Sequence, residues 1–425
     1  MNVLIVGSGG REHALGRSVA RSPLARSLFF LPGNAGTAAL GTNVAGDACD
    51  LALALEVARR EDIGLTIVGP EEPLARGIVN AFEQANRRVF GPTADAARLE
   101  SDKAFAKTLM RQHAIPTAEA RIFDNARAAR QYISTRDEAV VVKAAGLARG
   151  KGVVVCDDPA DAILAAERML NDRIHGDAGA TIVVEERLNG LEASVLCVVD
   201  GRTAYVLEAA RDYKRLEDDD RGPNTGGMGA YSPPPDLTPE LLQRIDAEII
   251  VPTLDALVRA ETRYRGVLYV GLMLTPAGPK VLEFNCRFGD PETQVILPRM
   301  RSDLLELLNA AVDGALESVQ VDWDPRPAVC TVMASKGYPD KYRTGLPIDG
   351  LTDAASVEDC FVFHAGTRRE GDRVLTAGGR VLGVSALGDS LEAAADRSLE
   401  AVRRIHFEGA TYRQDIARAR QAAGN

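Results

Sequence analysis

The sequence predicts an α/β and α+β protein that begins with a doubly wound parallel sheet. Over residues 1–101, short apolar runs alternate with helical patterns, and most runs end in a loop rich in glycine and proline. Strands that alternate with helices are typical of parallel sheets, whose loops gather at the carboxyl ends of the strands. Because backbone can approach a ligand closely at glycine, we expect these loops to lie at a binding site.

The N-terminal unit, residues 1–101, is the predicted parallel sheet with its helices. Its strands are expected at residues 3–6, 27–31, 65–68 and 89–90, and its helices at 11–21, 51–60 and 74–86. A further helix after Ala94 carries Ser-Asp-Lys at 101–103 and continues to residue 112. A chain of 425 residues has room for about three domains, so two more units are expected.

The central unit, residues 102–326, is rich in β-branched runs. Strands are expected at residues 139–143, 152–156, 181–186, 194–199, 266–274 and 280–285, and a helix at 239–261. Residues 211–235 show no periodicity and are expected to form a long irregular loop. Loops of that length in a compact domain are usually functional or mobile.

The C-terminal unit, residues 327–425, is predicted to be a small α+β domain. Strands are expected at residues 328–334, 360–364, 373–375 and 380–386. Asp389 and Ser390 give an N-cap signal for a closing helix that continues to His406.

The composition excludes several classes of protein. A net charge of −10, with 46% hydrophobic and 26% charged residues, is typical of a globular protein. No basic stripe is present, so no nucleic-acid partner is expected. No apolar run is long enough to cross a bilayer, and the chain starts directly on a strand, so we expect a cytoplasmic protein without a membrane partner. The six scattered cysteines are expected to be reduced, and any metal should have oxygen ligands.

The first glycine loop, Gly-Ser-Gly-Gly at residues 7–10, is not a dinucleotide fingerprint. The third glycine of G-x-G-x-x-G would fall at Glu12, and no acid for a ribose follows strand 27–31. A dehydrogenase is therefore disfavoured. Two interpretations stay open: a tight turn without a ligand, or an anion site in which Gly9, Gly10 and Arg11 bind a phosphate at the start of a helix.

The second glycine loop, residues 143–152, is predicted to be a flap between two strands. It is not a P-loop, because no Ser or Thr follows Lys151 and because the loop joins strand to strand. Lys143 lies on the first strand, and Gly150, Lys151 and Gly152 lie at the turn. Such a flap can close over a triphosphate and neutralise its charge, although a plain hairpin is the alternative.

Acidic residues follow the strand at 181–186. Glu185 and Glu186 end the strand, and Leu188 and Glu192 come next. In a nucleoside pocket, strand backbone can bind the edge of adenine and a carboxylate can accept the ribose hydroxyls. Acidic strand ends are also frequent on ordinary surfaces, so this signal alone is weak.

Strand 280–285 predicts a magnesium site. Glu283 and Asn285 are two residues apart, so their side chains lie on one face of the strand while Phe284 faces the other way. A carboxylate and an amide oxygen suit Mg²⁺, which completes its coordination with phosphates and water. Arg287 continues the same face and could reach a transferring phosphoryl group. A surface strand with the same residues is the alternative.

The order of flap, Glu-Glu pair and E-F-N-x-R strand resembles the ATP-grasp ligases. Four longer strings, at residues 2–15, 91–105, 224–233 and 283–294, resemble the phosphoribosylamine–glycine ligase (glycinamide ribonucleotide synthetase) family within that superfamily. The resemblance implies a central ATP-grasp fold with a flap subdomain at about 122–192. It also implies the reaction of ATP, glycine and 5-phospho-β-D-ribosylamine to ADP, phosphate and glycinamide ribonucleotide in purine biosynthesis, through glycyl phosphate. Another purine-pathway ATP-grasp ligase and an inactive ATP-binding paralogue are the alternatives.

The resemblance also implies roles for the residues that match its motifs. Lys103 and Lys143 would bind the ATP phosphates, and Glu283 and Asn285 would bind Mg²⁺, with Mn²⁺ as an alternative ion. The residues expected around the nucleotide are Lys103, Lys143, Gly150, Lys151, Gly152, Glu185, Glu186, Leu188 and Glu192. The chain departs from the family's pattern at Ala145, Arg149 and Tyr213, and residues 269–272 offer no further acidic metal ligand.

Catalysis in such a ligase should consist mostly of positioning and charge neutralisation. Phosphorylation turns the glycine carboxylate into an acylating agent, but it brings two anions together, which Mg²⁺, Lys103, Lys143 and Arg287 would neutralise. Water would hydrolyse the acyl phosphate, so loops 146–152 and 211–235 are expected to act as lids.

Glycine and the ribosylamine are expected to bind near the second lid and the N-terminal turn. Asp212 is a candidate for the glycine ammonium, and Asp290 is an alternative for that ammonium or for the attacking amine. Residues 217–220 are expected to be solvated loop surface, and the protein a monomer or weak homodimer that binds small molecules. The residues expected to contact these two substrates are Gly9, Gly10, Arg11, Asp212, Lys214, Arg287, Asp290, Ser335 and Lys336, of which Ser335 and Lys336 would join the turn in binding the sugar phosphate.

Overall fold

The N-terminal unit is a five-stranded parallel sheet in the computed structural model, which describes residues 1–148 and 151–418. Its strands are β1 (Asn2–Gly7), β2 (Ser27–Pro32), β3 (Thr42–Asn43), β4 (Ile63–Val68) and β5 (Val89–Phe90). Their order is β3-β2-β1-β4-β5, the order of a doubly wound sheet. The predicted sheet is therefore confirmed, with the carboxyl ends of β1 and β4 side by side.

Two helices predicted as continuous are divided. The helices of this region are α1 (Gly10–Val19), α2 (Leu51–Arg60), α3 (Glu71–Ala75), α4 (Ile78–Gln84), α5 (Ala94–Ser101) and α6 (Lys103–Gln112). The predicted helix 74–86 is interrupted at Gly77, whose φ of +83° is left-handed. The predicted helix after Ala94 is divided at Asp102, whose carboxylate caps α6 by accepting the Phe105 N–H at 3.0 Å.

The flap subdomain is a four-stranded antiparallel sheet with two helices. Its elements are β6 (Ala120–Phe123), α7 (Ala126–Ile133), β7 (Val140–Ala144), β8 (Val153–Cys156), α8 (Pro159–Leu170) and β9 (Ile182–Glu186). The strand order is β6-β9-β7-β8. Its hydrophobic core consists of side chains from residues 123–184 alone. Arg149 and Gly150, in the glycine loop, lie outside the described residues.

The rest of the central unit forms a second antiparallel sheet and several short strands. Its strands are β10 (Leu191–Val199), β11 (Ala204–Val206), β12 (Arg211–Asp212), β13 (Arg215–Glu217), β14 (Arg221–Asn224), β15 (Gly229–Ser232), β16 (Gly266–Thr275) and β17 (Gly278–Asn285). Its helices are α9 (Pro239–Ile245), α10 (Val251–Arg259), α11 (Thr293–Ile296) and α12 (Leu304–Asp313). The second sheet has the order β11-β10-β16-β17. The predicted helix 239–261 is present as α9 and α10, joined by a π-helical stretch at Asp246–Ile250.

The C-terminal unit builds its sheet with help from the central unit. Its elements are β18 (Ala328–Ser335), α13 (Leu351–Ala355), β19 (Cys360–His364), β20 (Thr367–Glu370), β21 (Arg373–Thr376), β22 (Arg380–Leu387), α14 (Leu391–Arg404) and β23 (Ala410–Thr411). The sheet order is β12-β15-β18-β22-β19, with β23 on the edge of β18. The predicted N-cap of α14 is confirmed, because the Ser390 hydroxyl accepts the Ala393 N–H at 3.1 Å.

The prediction of an irregular loop at 211–235 is therefore wrong in part. Strand β15 pairs with β18 from Gly229–Thr331 to Ser232–Ala328, and β12 pairs with β15. A strand of two to four residues has no recognisable periodicity of its own. Its partner here lies about a hundred positions away in the chain, so no local pattern marks it.

Two hydrophobic cores join the three units. One contains Val6 of the N-terminal sheet together with Phe284 of the second sheet. The other contains Phe30, Tyr269 and Cys330, one from each unit. Shared cores place the carboxyl ends of β1 and β4 near the end of β17. Among the described residues, no helix combines the length and the apolar character that crossing a membrane requires.

Candidate active site

The proposed metal ligands lie at the end of β17. Glu283 is opposite Gly271 of β16, where an added Cβ would lie 3.4 Å from the Glu283 Cγ. Within residues 1–148 and 151–418, the Glu283 carboxylate has neither a hydrogen bond nor an ion pair. Burial raises the pKa of Glu283, but nearby Lys214, Lys143, Lys103 and Arg287 outweigh burial and lower it. An ionised carboxylate with free lone pairs beside the Asn285 amide fits a hard divalent cation.

Arg287 is held by two acids of the N-terminal unit. Its guanidinium lies 3.0 Å from the Glu100 carboxylate and 3.3 Å from that of Glu71. It also donates to the Asn285 Oδ1 at 3.2 Å. Burial raises the pKa of Glu100 to about 7, against the lowering effect of Arg287. These contacts fix the guanidinium beside the predicted metal ligands.

Lys143 and Glu185 meet inside the flap, with a second lysine from the body. The Lys143 Nζ lies 2.9 Å from the Glu185 Oε2 and donates to the Leu282 carbonyl at 3.1 Å. The Lys107 Nζ lies 3.2 Å from the Glu185 Oε1 and donates to the Thr117 hydroxyl at 2.6 Å. Burial lowers the pKa of Lys107 to about 8. Sequence reasoning missed Lys107, although it lies four residues after Lys103, on the same face of α6.

Lys103 connects α6 to the base of the flap. Its backbone N–H donates to the Ala145 carbonyl at 2.8 Å, and its Nζ donates to the Gly146 carbonyl at 3.3 Å. Burial lowers the pKa of Lys103, although Glu283 raises it. On the far side of the loop, Lys151 is exposed and the Gly152 carbonyl accepts the Ala144 N–H at 2.8 Å.

The other predicted nucleoside residues lie around the β9–β10 connection. Glu186 points away from Glu185 and pairs with Lys280 at 3.0 Å. Leu188 is half-buried in the connection. Glu192, at the start of β10, pairs with Lys214 at 2.7 Å and stays partly exposed. Glu192 therefore presents carboxylate to solvent, whereas Glu185 is covered.

An acidic cluster surrounds Asp212. Burial raises the pKa of Asp212 to about 7, against Lys214, and the neighbouring Glu292, Glu192 and Glu283 raise it further. Glu292, which sequence reasoning missed, is buried and accepts the Tyr269 hydroxyl at 2.9 Å and the Ser194 hydroxyl at 3.3 Å. Its only sequence signal was its place inside the string at 283–294. Such a cluster of carboxylates favours the binding of a cationic group beside Asp212.

The first glycine turn already binds a carboxylate of the protein. The Gly9 N–H donates to the Glu12 Oε2 at 2.5 Å, and the Arg11 Nε lies 2.6 Å from the Glu12 Oε1. Arg11 is buried and also donates to the Phe288 carbonyl at 3.0 Å. Beside the turn, the Asp290 carboxylate would lie 3.2 Å from a Cβ added at Gly9. The turn, which includes Gly10, and the residues after β17 therefore form one surface.

The C-terminal unit reaches this surface through Arg380. Its guanidinium lies 3.4 Å from the Asp290 carboxylate and donates to the Gly226 carbonyl at 2.6 Å. Burial raises the pKa of Asp290, but Arg380 and Arg11 outweigh it and lower the pKa. The predicted Ser335 is buried and donates to the Gly378 carbonyl at 3.0 Å, while Lys336 is exposed beside Gly409. No motif pointed to Arg380.

Three family models match successive parts of the chain. They are described as the N domain of phosphoribosylglycinamide synthetase, matching residues 1–100, its ATP-grasp (A) domain, matching 101–293, and its C domain, matching 328–419.

Similar proteins are found at full length. The chain is 50% identical to the phosphoribosylamine–glycine ligase of Rhodopirellula baltica, covering 98% of this chain and 97% of that protein. It is 52% identical to the ligase of the same name from Allochromatium vinosum, covering 98% of each. The crystal structure of the Thermotoga maritima phosphoribosylamine–glycine ligase superposes with a TM-score of 0.85 at 35% identity, covering 98% of this chain and 100% of that one. A biotin carboxylase domain from Hydrogenobacter thermophilus, at 15% identity and a TM-score of 0.72, shares the fold over 97% of this chain and 91% of that one.

Proposed function

The chain belongs to the phosphoribosylglycinamide synthetase family, and we infer that it joins glycine to 5-phospho-β-D-ribosylamine while ATP is converted to ADP and phosphate. The product is glycinamide ribonucleotide, an intermediate of purine biosynthesis. One observation supports this function above the others: the ionised Glu283 carboxylate, without a protein partner among the described residues, lies among four cations where the units meet.

The ATP side of the site is assigned to the flap and to α6. Lys103 and Lys143 bind the phosphates, and the hinge after Glu185 binds the nucleoside, with Glu192 accepting the ribose hydroxyls. Lys151 and Gly152 belong to the turn that covers the phosphates, and Gly150, predicted for the same role, lies outside the described residues. Glu283 and Asn285 would hold Mg²⁺, or Mn²⁺ as an alternative, which would neutralise phosphate charge during the transfer.

Glycine is activated beside Arg287. A glycine carboxylate oxygen attacks the γ-phosphorus of ATP, the bond to the bridging oxygen breaks, and ADP leaves. Arg287, held by Glu71 and Glu100, stabilises the charge that crowds onto the two anions. The glycine ammonium is bound by Asp212 in its acidic cluster, where a cation relieves the repulsion among the carboxylates.

The ribosylamine is assigned to the surface formed by the glycine turn and Asp290. Its amine attacks the carbonyl carbon of glycyl phosphate, phosphate leaves with the electrons of the C–O bond, and the amine passes a proton to the departing phosphate. The ionised Asp290 orients this amine, while Arg380, Arg11 and the backbone at Gly10, next to the Gly9 N–H that Glu12 occupies, favour the sugar phosphate, with Lys336 at the outer rim. The flap excludes water, so the acyl phosphate lasts until the amine attacks.

ADP release with each substrate omitted in turn tests this function. Release should require both glycine and phosphoribosylamine, with accumulation of glycinamide ribonucleotide. Release that depends on another carboxylate would identify a different purine-pathway ligase. ATP binding without turnover would identify an inactive paralogue.

We also propose that the protein works on these small molecules as a monomer or weak homodimer in the cytoplasm. Five of the six cysteines, Cys156, Cys197, Cys286, Cys330 and Cys360, form no disulfide within the described residues, as expected in a reducing compartment. The mass of the chain is 45.4 kDa. Light scattering after size exclusion should give this mass or a concentration-dependent value up to twice as large.

A further inference from the structure

A buried arginine near the end of the described chain lies behind the glycine-binding side of the site. The Arg413 side chain is 1% exposed, yet it carries a full charge. Its Nη1 lies 2.8 Å from the Asp220 carboxylate and donates to the Arg215 carbonyl at 3.1 Å. Its Nη2 lies 2.5 Å from the Asp415 carboxylate. A cation at this depth is stable only because its pairs are geometrically good.

The same region of chain makes further contacts with the segment that follows Asp212. We call residues 413–417 the C-terminal segment and residues 211–224 the acidic hairpin. The Gln414 N–H donates to the Asp218 carboxylate at 2.8 Å, and the Asp219 N–H donates to the Asp415 carboxylate at 3.0 Å. The expectation of a solvated acidic run at 217–220 is therefore wrong for Asp218 and Asp220, which are bound by the C-terminal segment.

Tyr213 is the contact closest to the active site. The Arg413 guanidinium lies 4.7 Å from the centre of its ring, within the range of a cation–π contact. Its hydroxyl accepts the Ala417 N–H at 3.0 Å. The Tyr213 hydroxyl therefore has its partner in the C-terminal segment.

Asp212 and Lys214 flank Tyr213 on the opposite face of the extended chain. Side chains alternate along such a segment, so residues 212 and 214 face the site while Tyr213 faces the C-terminal segment. The backbone of Tyr213 pairs with Gly229 and Met228, at 2.9 and 2.7 Å. A shift of Tyr213 would therefore move Asp212 and Lys214 relative to Glu192 and Glu292.

We propose that Arg413 is a positioning residue for glycine binding, which acts through Tyr213 and the acidic hairpin to hold Asp212 and Lys214 in place. The proposal rests on the proposed role of Asp212. Removing the guanidinium leaves the Asp220 and Asp415 carboxylates without their central cation and removes the contact with the Tyr213 ring. The hairpin then loosens at its base, while the ATP side of the site, which meets the hairpin through the pair of Lys214 with Glu192 at 2.7 Å, is affected less.

The test is Arg413→Met, which keeps the apolar stem, compared with Arg413→Lys, which restores the charge. We expect Arg413→Met to lower kcat/KM for glycine roughly 10- to 100-fold, the effect of a displacement of about 1 Å. Arg413→Lys should recover part of this loss, and equilibrium binding of ATP should weaken much less than glycine binding in both variants. Amide exchange at Tyr213 and Met228 should become faster. The matched control is Arg343→Met, because Arg343 pairs with Glu408 at 2.8 Å on the open surface and should be silent.

Normal glycine kinetics in Arg413→Met would overturn the proposal, and so would an equal loss of ATP affinity, which would indicate general destabilisation. If Arg413→Met does not fold, Tyr213→Phe tests the same proposal, because it removes only one hydroxyl. It should raise KM for glycine severalfold with ATP binding intact. An unchanged KM in Tyr213→Phe would then count against the proposal. Asp212→Asn distinguishes failure of the proposed function from failure of this inference. Normal glycine kinetics in Asp212→Asn would reject the proposed role of Asp212 itself. Impaired glycine kinetics in Asp212→Asn, together with normal kinetics in Arg413→Met, would reject only the role of Arg413.

Discussion

In the proposed active site, the side assigned to ATP and the side assigned to glycine are supported by different parts of the fold. Lys143 and Glu185, on the ATP side, belong to a sheet whose hydrophobic core lies entirely within residues 123–184. Asp212, on the glycine side, belongs to a strand at the edge of the C-terminal sheet, which shares a core with the rest of the body. A layer with its own core can move as a unit, whereas the Asp212 strand can move only after its pairing with β15 breaks.

The contacts between the flap and the body fit this difference. They include the ion pair of Lys107 with Glu185, the ion pair of Lys280 with Glu186, and the backbone hydrogen bond from the Lys103 N–H to the Ala145 carbonyl. The Lys280–Glu186 pair is partly exposed and can separate at little cost, and a phosphate can replace Glu185 as the partner of the buried lysines. We therefore expect the flap to close over ATP against a glycine site that is already formed.

The largest effect should come from Glu283→Gln, at the strand where both sides meet. The change keeps the shape of the side chain but removes the charge that faces four cations. Turnover should fall by at least about 100-fold, with the fold intact. ADP release over a range of magnesium concentrations measures it, with the exposed Glu370→Gln as the control. Normal activity at any magnesium concentration would reject the metal site.

Asp212→Asn should impair activity and stabilise the fold. Loss of a charged partner for the glycine ammonium should lower kcat/KM for glycine roughly 10- to 100-fold, without a change in ATP binding. In the wild type, KM for glycine should fall as the pH rises through about 7, where Asp212 ionises. KM for glycine measured over a range of pH in the wild type and in Asp212→Asn checks both expectations. A wild-type KM that does not respond to pH would contradict the role of Asp212 in binding the glycine ammonium.

The stability effect of the same variant follows from linkage. The pKa of Asp212 in the fold, about 7, lies above its ordinary value of 3.8, so the fold binds the proton more tightly than the unfolded chain does. Proton binding by Asp212 therefore stabilises the fold, and this contribution is complete below about pH 4 and is lost as the pH rises through about 7. Asp212→Asn should therefore have a higher Tm than the wild type at pH 8, and the difference should disappear at pH 4. A lower Tm at pH 8 would indicate that Asp212 is paired.

Lys107→Met should have a smaller effect, on the flap side. The variant leaves the buried Glu185 carboxylate with Lys143 as its single lysine partner among the described contacts, so that Lys143 is less free to turn toward phosphate. KM for ATP should rise roughly tenfold, while KM for glycine stays unchanged. Steady-state kinetics measure the two constants, and the exposed Lys341→Met is the control. A rise in KM for glycine alone would show that the two sides are not separable.

Sequence reasoning succeeded where the chemistry is local in the chain. Glu283 and Asn285 share a face because they are two residues apart on a strand, and Ser390 caps a helix three residues on. Lys107, Arg380 and Arg413 escaped notice because their partners are distant: Arg413 and Asp220 are 193 positions apart. Helical or strand periodicity carries no information on such pairs, and the same holds for the pairing of β15 with β18. The glycine turn at residues 7–10 shows a third case, in which a motif suited to an external anion binds Glu12 of the same chain.

The smallest effect distinguishes the two kinds of support directly. Ile133 is fully buried in the core of the flap, and Ile67 is fully buried in the core shared by the body. Ile→Val at either position removes one methylene and should lower the free energy of unfolding by about 1 kcal/mol. Hydrogen exchange should separate them, because Ile133→Val should speed exchange only within residues 120–186, whereas Ile67→Val should speed it across β1, β4 and the sheets that share their core. Exchange that spreads from Ile133 into the body would mean that the flap does not move as an independent unit.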